Sequence, residues 1–118
     1  MFKKMAGSSG NVVGYKAIGE ISTSDYKELE PEVKALVKKE GNIRLLFDMT
    51  EFKWEKVEAW LPDLKFGHEF HNKIEKMAIV RDKTWEKWMT HLAKHTYARD
   101  TKFFHSVDTS KAWAWLRE

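Results

Sequence analysis

Histidine pairs are the first residues of this chain whose spacing could support chemistry. His91 and His95 lie four residues apart in a stretch with helical periodicity, a spacing at which one helix presents two metal ligands. His68 and His71 lie three residues apart in another such stretch. The position after His91, where a helical zinc-protease motif carries its catalytic glutamate, is Leu92, and no third ligand is indicated. We therefore expect surface or capping histidines and no metal site.

Carboxylates are the second group of side chains that could do chemistry. Acid–base or nucleophilic catalysis would need paired carboxylates, or a nucleophile beside a base. The candidates lie scattered near predicted loops, where capping accounts for most of them: Asp48, Glu51, Glu55 and Asp82. The glycines of residues 7–10 precede a predicted strand rather than opening a helix, so they form no phosphate cradle. The sequence predicts a protein that is not an enzyme, with no catalytic residue and no cofactor.

Composition places the chain among ordinary globular proteins. Its 118 residues, 42% hydrophobic and 33% charged, have room for a single domain, which we expect to span residues 1–118. The absence of cysteine excludes disulfides and cysteine-ligated zinc. No signal-peptide core and no membrane-length apolar stretch is visible, so we expect a cytoplasmic protein. A net charge of +3 is far from that of a nucleic-acid-binding protein, and no nucleic-acid partner is expected.

The elements that position any site are organised around a short apolar run. Residues 42–50 read NIRLLFDMT, and such a run after a Gly-Asn turn is typical of a strand buried on both faces. We predict that it is the central strand of a sheet. Ligands and partners of open α/β sheets gather where strands end. We therefore predict a partner-binding loop there, formed by Asp48, Thr50 and Glu51, with Trp54 close by.

The residues before this strand predict a hairpin and a helix. Strand-like segments at residues 2–5 and 12–21 flank the turn sequence GSSGN, which favours an antiparallel pair; the buried face of the second strand stays open. Ser22 and Asp25 resemble a capping box, and apolar residues then recur at helical spacing as far as Gly41. Pro31 predicts a kink, or a helix that restarts at the proline.

The residues after the central strand alternate between helix and strand patterns. We predict helices at residues 54–74 and around 85–92, strands at 76–82 and 101–106, and a last helix that begins at Asp108 or Thr109. In that last helix Ala112, Trp115 and Leu116 form an apolar stripe, and Trp113 points away from it. The order predicts an α/β fold with a mixed five-stranded sheet, in which an antiparallel hairpin precedes alternating helices and parallel strands.

The predicted helix at residues 54–74 has more apolar surface than packing on a sheet requires. The excess could cover a bound apolar ligand, a second subunit or another helix. Tryptophans are most often core residues, yet tryptophan beside lysine and histidine also suits a membrane interface. The predicted ligand- or membrane-contact residues are Trp54, Trp60, Leu64, Phe66, Phe70, Trp85, Trp88 and Met89.

Four segments together resemble the SpoIIAA-like family of the STAS superfamily. They are IRLLFDMTEF at residues 43–52, DLKFG at 63–67, KMAIVRDKTWEKWMTHLAK at 76–94 and AWLRE at 114–118. The resemblance implies a mixed sheet packed by helices and a non-enzymatic role. In the sporulation antagonists of this family, a serine in a DSSG motif is phosphorylated to switch partner binding. Residues 52–60 of this chain contain no serine or threonine, although Asp48 and Thr50 match the family's Asp-x-Ser/Thr turn.

Two functional hypotheses follow. The family also resembles the CRAL-TRIO lipid-binding architecture, which implies a module that binds an apolar or amphiphilic, lipid-like ligand. That hypothesis includes peripheral contact with the inner face of the membrane. The alternative is an anti-sigma-antagonist-like regulatory protein that binds a protein partner without the usual phosphoserine switch. In either case we expect a homodimer.

Overall fold

Five strands form one mixed sheet with the spatial order β1-β2-β3-β4-β5. The computed structural model describes residues 1–55, 70, 72–82 and 100–118. The strands are β1 Phe2–Lys4, β2 Val12–Ile21, β3 Ile43–Glu55, β4 Ile74–Arg81 and β5 Asp100–His105. Helix α1 is Thr23–Glu40, a 3-10 turn covers Ser106–Asp108, and helix α2 is Thr109–Arg117. β1 and β2 are antiparallel, while β2 to β5 are parallel, as the sequence predicted.

β3 occupies the centre of the sheet and is buried on both faces, which confirms the prediction made from its apolar run. Leu45 packs into the core beneath α1, and the next residue, Leu46, packs into the core beneath α2; both are 0% exposed. Successive side chains of a strand point to opposite faces, so an unbroken apolar run supplies both cores at once. We call the two sides of the sheet the α1 face and the α2 face. β2 is also buried on both sides, with Val12 on the α2 face and Val13 on the α1 face.

Helix α1 begins at a capping box and runs without interruption past its proline. The backbone N–H and the hydroxyl of Ser22 both donate to Asp25 Oδ2, at 2.7 and 2.9 Å. Burial alone would raise the pKa of Asp25, but these hydrogen bonds and the nearby amino terminus lower it below its ordinary value. The predicted restart at Pro31 is wrong, since the helix is continuous from Thr23 to Glu40. It ends at Gly41, whose φ of 83° is a conformation that favours glycine.

Several predicted boundaries are wrong around the central strand. Trp54 and Glu55 are the last residues of β3, and Ile74 is the first of β4, so none of the three belongs to a helix spanning 54–74. Pairing with the end of β2 extends β3 beyond its apolar run, as far as the Ile21↔Glu55 pair. The structure also describes Phe70, which is helical, and residues 72 and 73, which form a turn. The predicted helix around residues 85–92 lies outside the described residues.

Helix α2 covers the second face of the sheet and runs back toward the amino-terminal hairpin. Ala112 and Leu116 are buried against that face, as their spacing predicted. Trp113 lies off this stripe, yet it packs against the same core, with its ring over Gly7 and Gly14. Arg117 sits 5.2 Å from the ring centroid of Trp113 and donates to the carbonyl oxygen of Gly7 at 2.7 Å.

Two cations on the central strands bind the carbonyl groups at the end of α2. Lys76 Nζ donates to the Trp115 carbonyl at 2.9 Å and lies 5.0 Å from the centroid of the Trp115 ring. Arg44 Nη1 donates to the carbonyl oxygens of Leu116 and Glu118, at 2.5 and 3.2 Å. The last carbonyls of a helix have no partner inside the helix and carry partial negative charge, so cations stabilise this end.

We expect Gly14→Ala to lower the free energy of unfolding by about 2 kcal/mol, because overpacking a filled core forces side chains or backbone to shift. A Cβ at Gly14 would lie 2.5 Å from Trp113 Cη2, closer than real Cβ contacts allow. Gly7→Ala is the milder comparison, since its Cβ would lie 3.0 Å from the same ring. Urea denaturation measures both changes.

The matched control is the same substitution in a Trp113→Ala background. Without the indole ring, Gly14→Ala should cost much less, since substitutions of two residues in contact are not additive. The remaining close atom is Met5 Sδ, 3.1 Å from the new Cβ, at the end of a flexible side chain. An equal loss of stability in both backgrounds would contradict the contact.

Candidate functional site

A polar cluster lies where β3 passes the end of β4. We call it the edge cluster; it consists of Lys16 on β2 with Asp48, Thr50 and Glu51 on β3. The sequence predicted the last three as a loop after the strand, and this placement is wrong. All three lie within β3, because pairing with β2 continues as far as Glu55.

A bulge in β3 brings these side chains together. Lys16 pairs with Asp48 and Ile18 pairs with Glu51, so two residues of β3 stand opposite one residue of β2. Asp48 Oδ1 accepts hydrogen bonds from the backbone N–H of Thr50 at 3.0 Å and from its hydroxyl at 2.6 Å. Bulges interrupt the ladder of a sheet and redirect side chains. Here the Asp48 side chain satisfies a backbone N–H at the interruption.

Lys16 and Glu51 form the exposed half of the cluster. Lys16 Nζ lies 2.6 Å from Glu51 Oε2, and the two side chains are 34% and 55% exposed. The pKa of Lys16 is raised, mainly by its hydrogen bond to Glu51, with the charges of Glu51 and Asp48 adding to the effect. An exposed ion pair of this kind adds little to stability. Breaking it to form contacts with a partner therefore costs little. Asp48, by contrast, is buried at 8% exposure.

The described pairing of β3 with β2 runs further than its described pairing with β4. Its pairing with β4 ends at Asp48↔Val80, while its pairing with β2 continues to Ile21↔Glu55. In the parts of the chain that the structure describes, no strand pairs with residues 49–55 on the β4 side. The edge cluster therefore stands where the described pairing of β3 with β4 ends.

Two basic residues of the strands were missed by the sequence predictions. Lys16 could have been found as the one charged residue in the apolar first half of β2. Arg81 ends β4 and is 4% exposed; burial lowers its pKa to about 10, although the charge of Asp82 opposes this. Arg81 alternates with Met77 and Ile79, so it lies on the α1 face, opposite Asp48 on the α2 face. It does not join the edge cluster.

Most of the predicted ligand-contact residues are outside the described part of the chain. The residues outside it are Trp60, Leu64, Phe66, Trp85, Trp88 and Met89. For Trp54 the structure describes the backbone, which lies at the end of β3. Phe70 is 3% exposed and packs into the core of the α1 face. Contact of these residues with a ligand stays a prediction.

One cavity lies beside α1 among the described residues, and its lining differs from that of an apolar-ligand site. It has a volume of about 180 Å³ and is lined by Phe2, Asp25, Glu28, Leu29 and Glu32. Three of these five residues carry carboxylates. Pockets for apolar ligands are lined mainly by hydrophobic side chains. This cavity therefore gives no support to the lipid-like ligand.

The described residues contain no group of three His, Cys, Asp or Glu side chains that could hold a metal ion. The histidine pairs at 68, 71, 91 and 95 lie outside them, so the predicted absence of a metal site stays a prediction. No helix among the described residues is long and apolar enough to cross a membrane.

Comparison with known proteins supports the fold. A family model described as SpoIIAA-like matches residues 12–117. An uncharacterized protein with a SpoIIAA-like fold from Shewanella loihica PV-4 is 24% identical, with a TM-score of 0.76 over 98% of this chain and 92% of its own. The anti-sigma factor antagonist SpoIIAA in its unphosphorylated form is 8% identical, with a TM-score of 0.65 over 99% of this chain and 98% of its own. No curated protein matches. The predicted fold class is confirmed.

We expect Thr50→Val to lower the free energy of unfolding by about 1 kcal/mol, because it removes the hydroxyl that donates to a buried carboxylate. Valine keeps the branched shape of threonine, so packing is preserved. Thr50→Ser retains the donor and should stay close to the parent protein. Urea denaturation at neutral pH compares the three proteins, and a valine variant as stable as the serine variant would contradict the role of this hydrogen bond.

Proposed function

We propose that this chain, which belongs to the SpoIIAA-like family, is a non-enzymatic regulatory module that binds another protein through the edge cluster. The observation that carries the proposal is the exposed Lys16–Glu51 pair beside the buried Asp48–Thr50 hydrogen bond. The hydrogen bond between Asp48 and Thr50 fixes the shape of the strand. The exposed Lys16 and Glu51 can instead form ion pairs with a partner. The cytoplasm is the compartment that we expect.

The shape of this surface favours a protein partner over a small molecule. Small-molecule sites are concave and mostly apolar, whereas protein interfaces include flat, polar surfaces. The edge cluster lies on a strand whose described pairing extends past the end of β4. A partner could bring charged side chains to Lys16 and Glu51, which are both accessible to solvent.

We also propose that binding does not depend on phosphorylation of Thr50. The Thr50 hydroxyl donates to Asp48 Oδ1 at 2.6 Å. A phosphoryl group would bring roughly −1.5 to −2 charges against this carboxylate and remove the donor. Repulsion between the two groups would disrupt the bulge that shapes the cluster, so the unmodified threonine fits the proposed surface better.

The test reverses one charge of the exposed pair. Capture from lysate of the source organism, followed by mass spectrometry, identifies a partner, which is then purified and titrated calorimetrically. Glu51→Lys should weaken binding at least about tenfold, because it places two like charges at the contact. The matched control is Lys111→Glu on α2, whose side chain is 76% exposed and lies in an ordinary surface pair. Equal affinity for parent and Glu51→Lys would contradict this docking site.

The second candidate function is binding of an apolar or amphiphilic, lipid-like ligand, with peripheral contact with the inner face of the membrane. It is supported by the apolar excess at residues 54–74 in the sequence. The residues predicted to contact this ligand differ from those of the edge cluster, so separate variants can test the two functions.

For this second candidate we expect native mass spectrometry of the purified protein to show an added mass that organic extraction releases as a lipid or fatty acid. Phe66→Ser should reduce the bound fraction, because it removes apolar surface from the predicted contact. Thr50→Val leaves that surface unchanged and serves as the control. Protein that carries no added mass, and does not float with anionic vesicles, would contradict the proposal.

A further inference from the structure

A second lysine lies beside the edge cluster, on the neighbouring strand β1. In the antiparallel pairing of β1 with β2, Lys3 stands opposite Lys16. Residues that stand opposite each other share a face of the sheet, with Cβ atoms roughly 5 Å apart. Lys16 alternates with Val12, which packs into the core of the α2 face. The two lysines therefore stand side by side on the α2 face.

These two lysines differ in how their charges are balanced. Lys16 Nζ lies 2.6 Å from Glu51 Oε2, so a carboxylate already balances its charge. The side chain of Lys3 is exposed, and it forms no ion pair or hydrogen bond in the part of the chain that the structure describes. The carboxylate of Asp48 is buried and accepts from Thr50. Lys3, Lys16 and Glu51 together therefore carry a surplus of one positive charge.

We propose that Lys3 belongs to the docking surface, and that the partner protein presents an acidic side chain to Lys3 and Lys16. This inference rests on the proposed function, because it names the chemistry of the partner that the edge cluster binds. Like charges on directly opposed residues disfavour strand pairing, and a carboxylate between the two ammonium groups removes that repulsion. A basic side chain of the same partner meets Glu51. Complementary charges of this kind fix the register of an interface.

The next residue of β1 separates docking from mere solubility. Exposed lysines on strands also serve to keep sheets soluble and unaggregated. Lys4 stands opposite Tyr15, which packs into the core of the α1 face, so Lys4 lies on that face. It is exposed and carries the same charge as Lys3. A solubilising role would belong to both lysines, whereas the docking role belongs to Lys3.

Titration of the full chain with N-acetylated hexaglutamate tests the inference, with amide chemical shifts as the readout. Low ionic strength is used, because salt screens exposed charges. We expect the largest shifts at Lys3 and Lys16. Lys3→Glu should raise the dissociation constant at least about tenfold, since it replaces an attractive charge with a repulsive one. Lys4→Glu makes the same change of net charge on the opposite face and should leave the constant almost unchanged.

Variants at Glu51 distinguish a failure of this inference from a failure of the proposed function. Glu51→Gln frees Lys16 from its ion pair, so it should strengthen the binding of hexaglutamate, which has no basic side chain. Glu51→Lys, titrated with the captured partner, tests the edge cluster as a docking site. Lys3→Glu, titrated with hexaglutamate, tests the acidic character of the partner.

Circular dichroism confirms that the variants are folded. Lys3→Gln is the second variant at this position; it removes the charge without reversing it and should give an intermediate dissociation constant. Three results would each overturn the proposal. They are the absence of chemical-shift changes, shifts that favour the adjacent Lys38 and Lys39 in the last turn of α1, and equal weakening by Lys3→Glu and Lys4→Glu.

Discussion

The two-sided burial of β3 is the constraint on which the rest of the structure depends. Leu45 and Leu46 are neighbours in the chain, yet each is fully buried in a different core. A shift of one residue in the pairing of β3 would exchange the two sets of side chains. The α1 face and the α2 face must therefore both be covered, and the register of β2 and β4 against β3 is set by the same residues.

Coverage of the α2 face rests on one nine-residue helix among the described elements. So short a helix has little stability of its own, and its packing and end groups decide whether it forms. Arg44 and Lys76 contribute to both the packing and the end of the helix. They lie on strands that α2 covers, and they donate to its last carbonyl groups. Gly14 beneath Trp113 allows a close approach that a Cβ at that position would prevent.

The sequence predicted the elements with strong local patterns and missed features that depend on distant partners. The apolar run in β3 and the capping box of α1 are local, and both are confirmed. The extension of β3 to Glu55 depends on its pairing with β2, and the stretch EFKWE fits the start of a helix equally well. At the site, the identities of Asp48, Thr50 and Glu51 were predicted, but their place in a bulged strand and their neighbour Lys16 were not. A bulge is a relation between two strands, which periodicity along one strand does not record.

The contact between Arg117 and the turn near Gly7 has a consequence for the order in which the chain folds. The two residues are 110 positions apart, whereas neighbouring strands of the sheet follow one another in sequence. Strand pairing can proceed stepwise from β1 to β5, with moderate loops closed at each step. The docking of α2 on the hairpin closes the longest loop, which carries the largest entropic cost. We therefore expect the contact between Arg117 and the turn near Gly7 to form after the strands have paired.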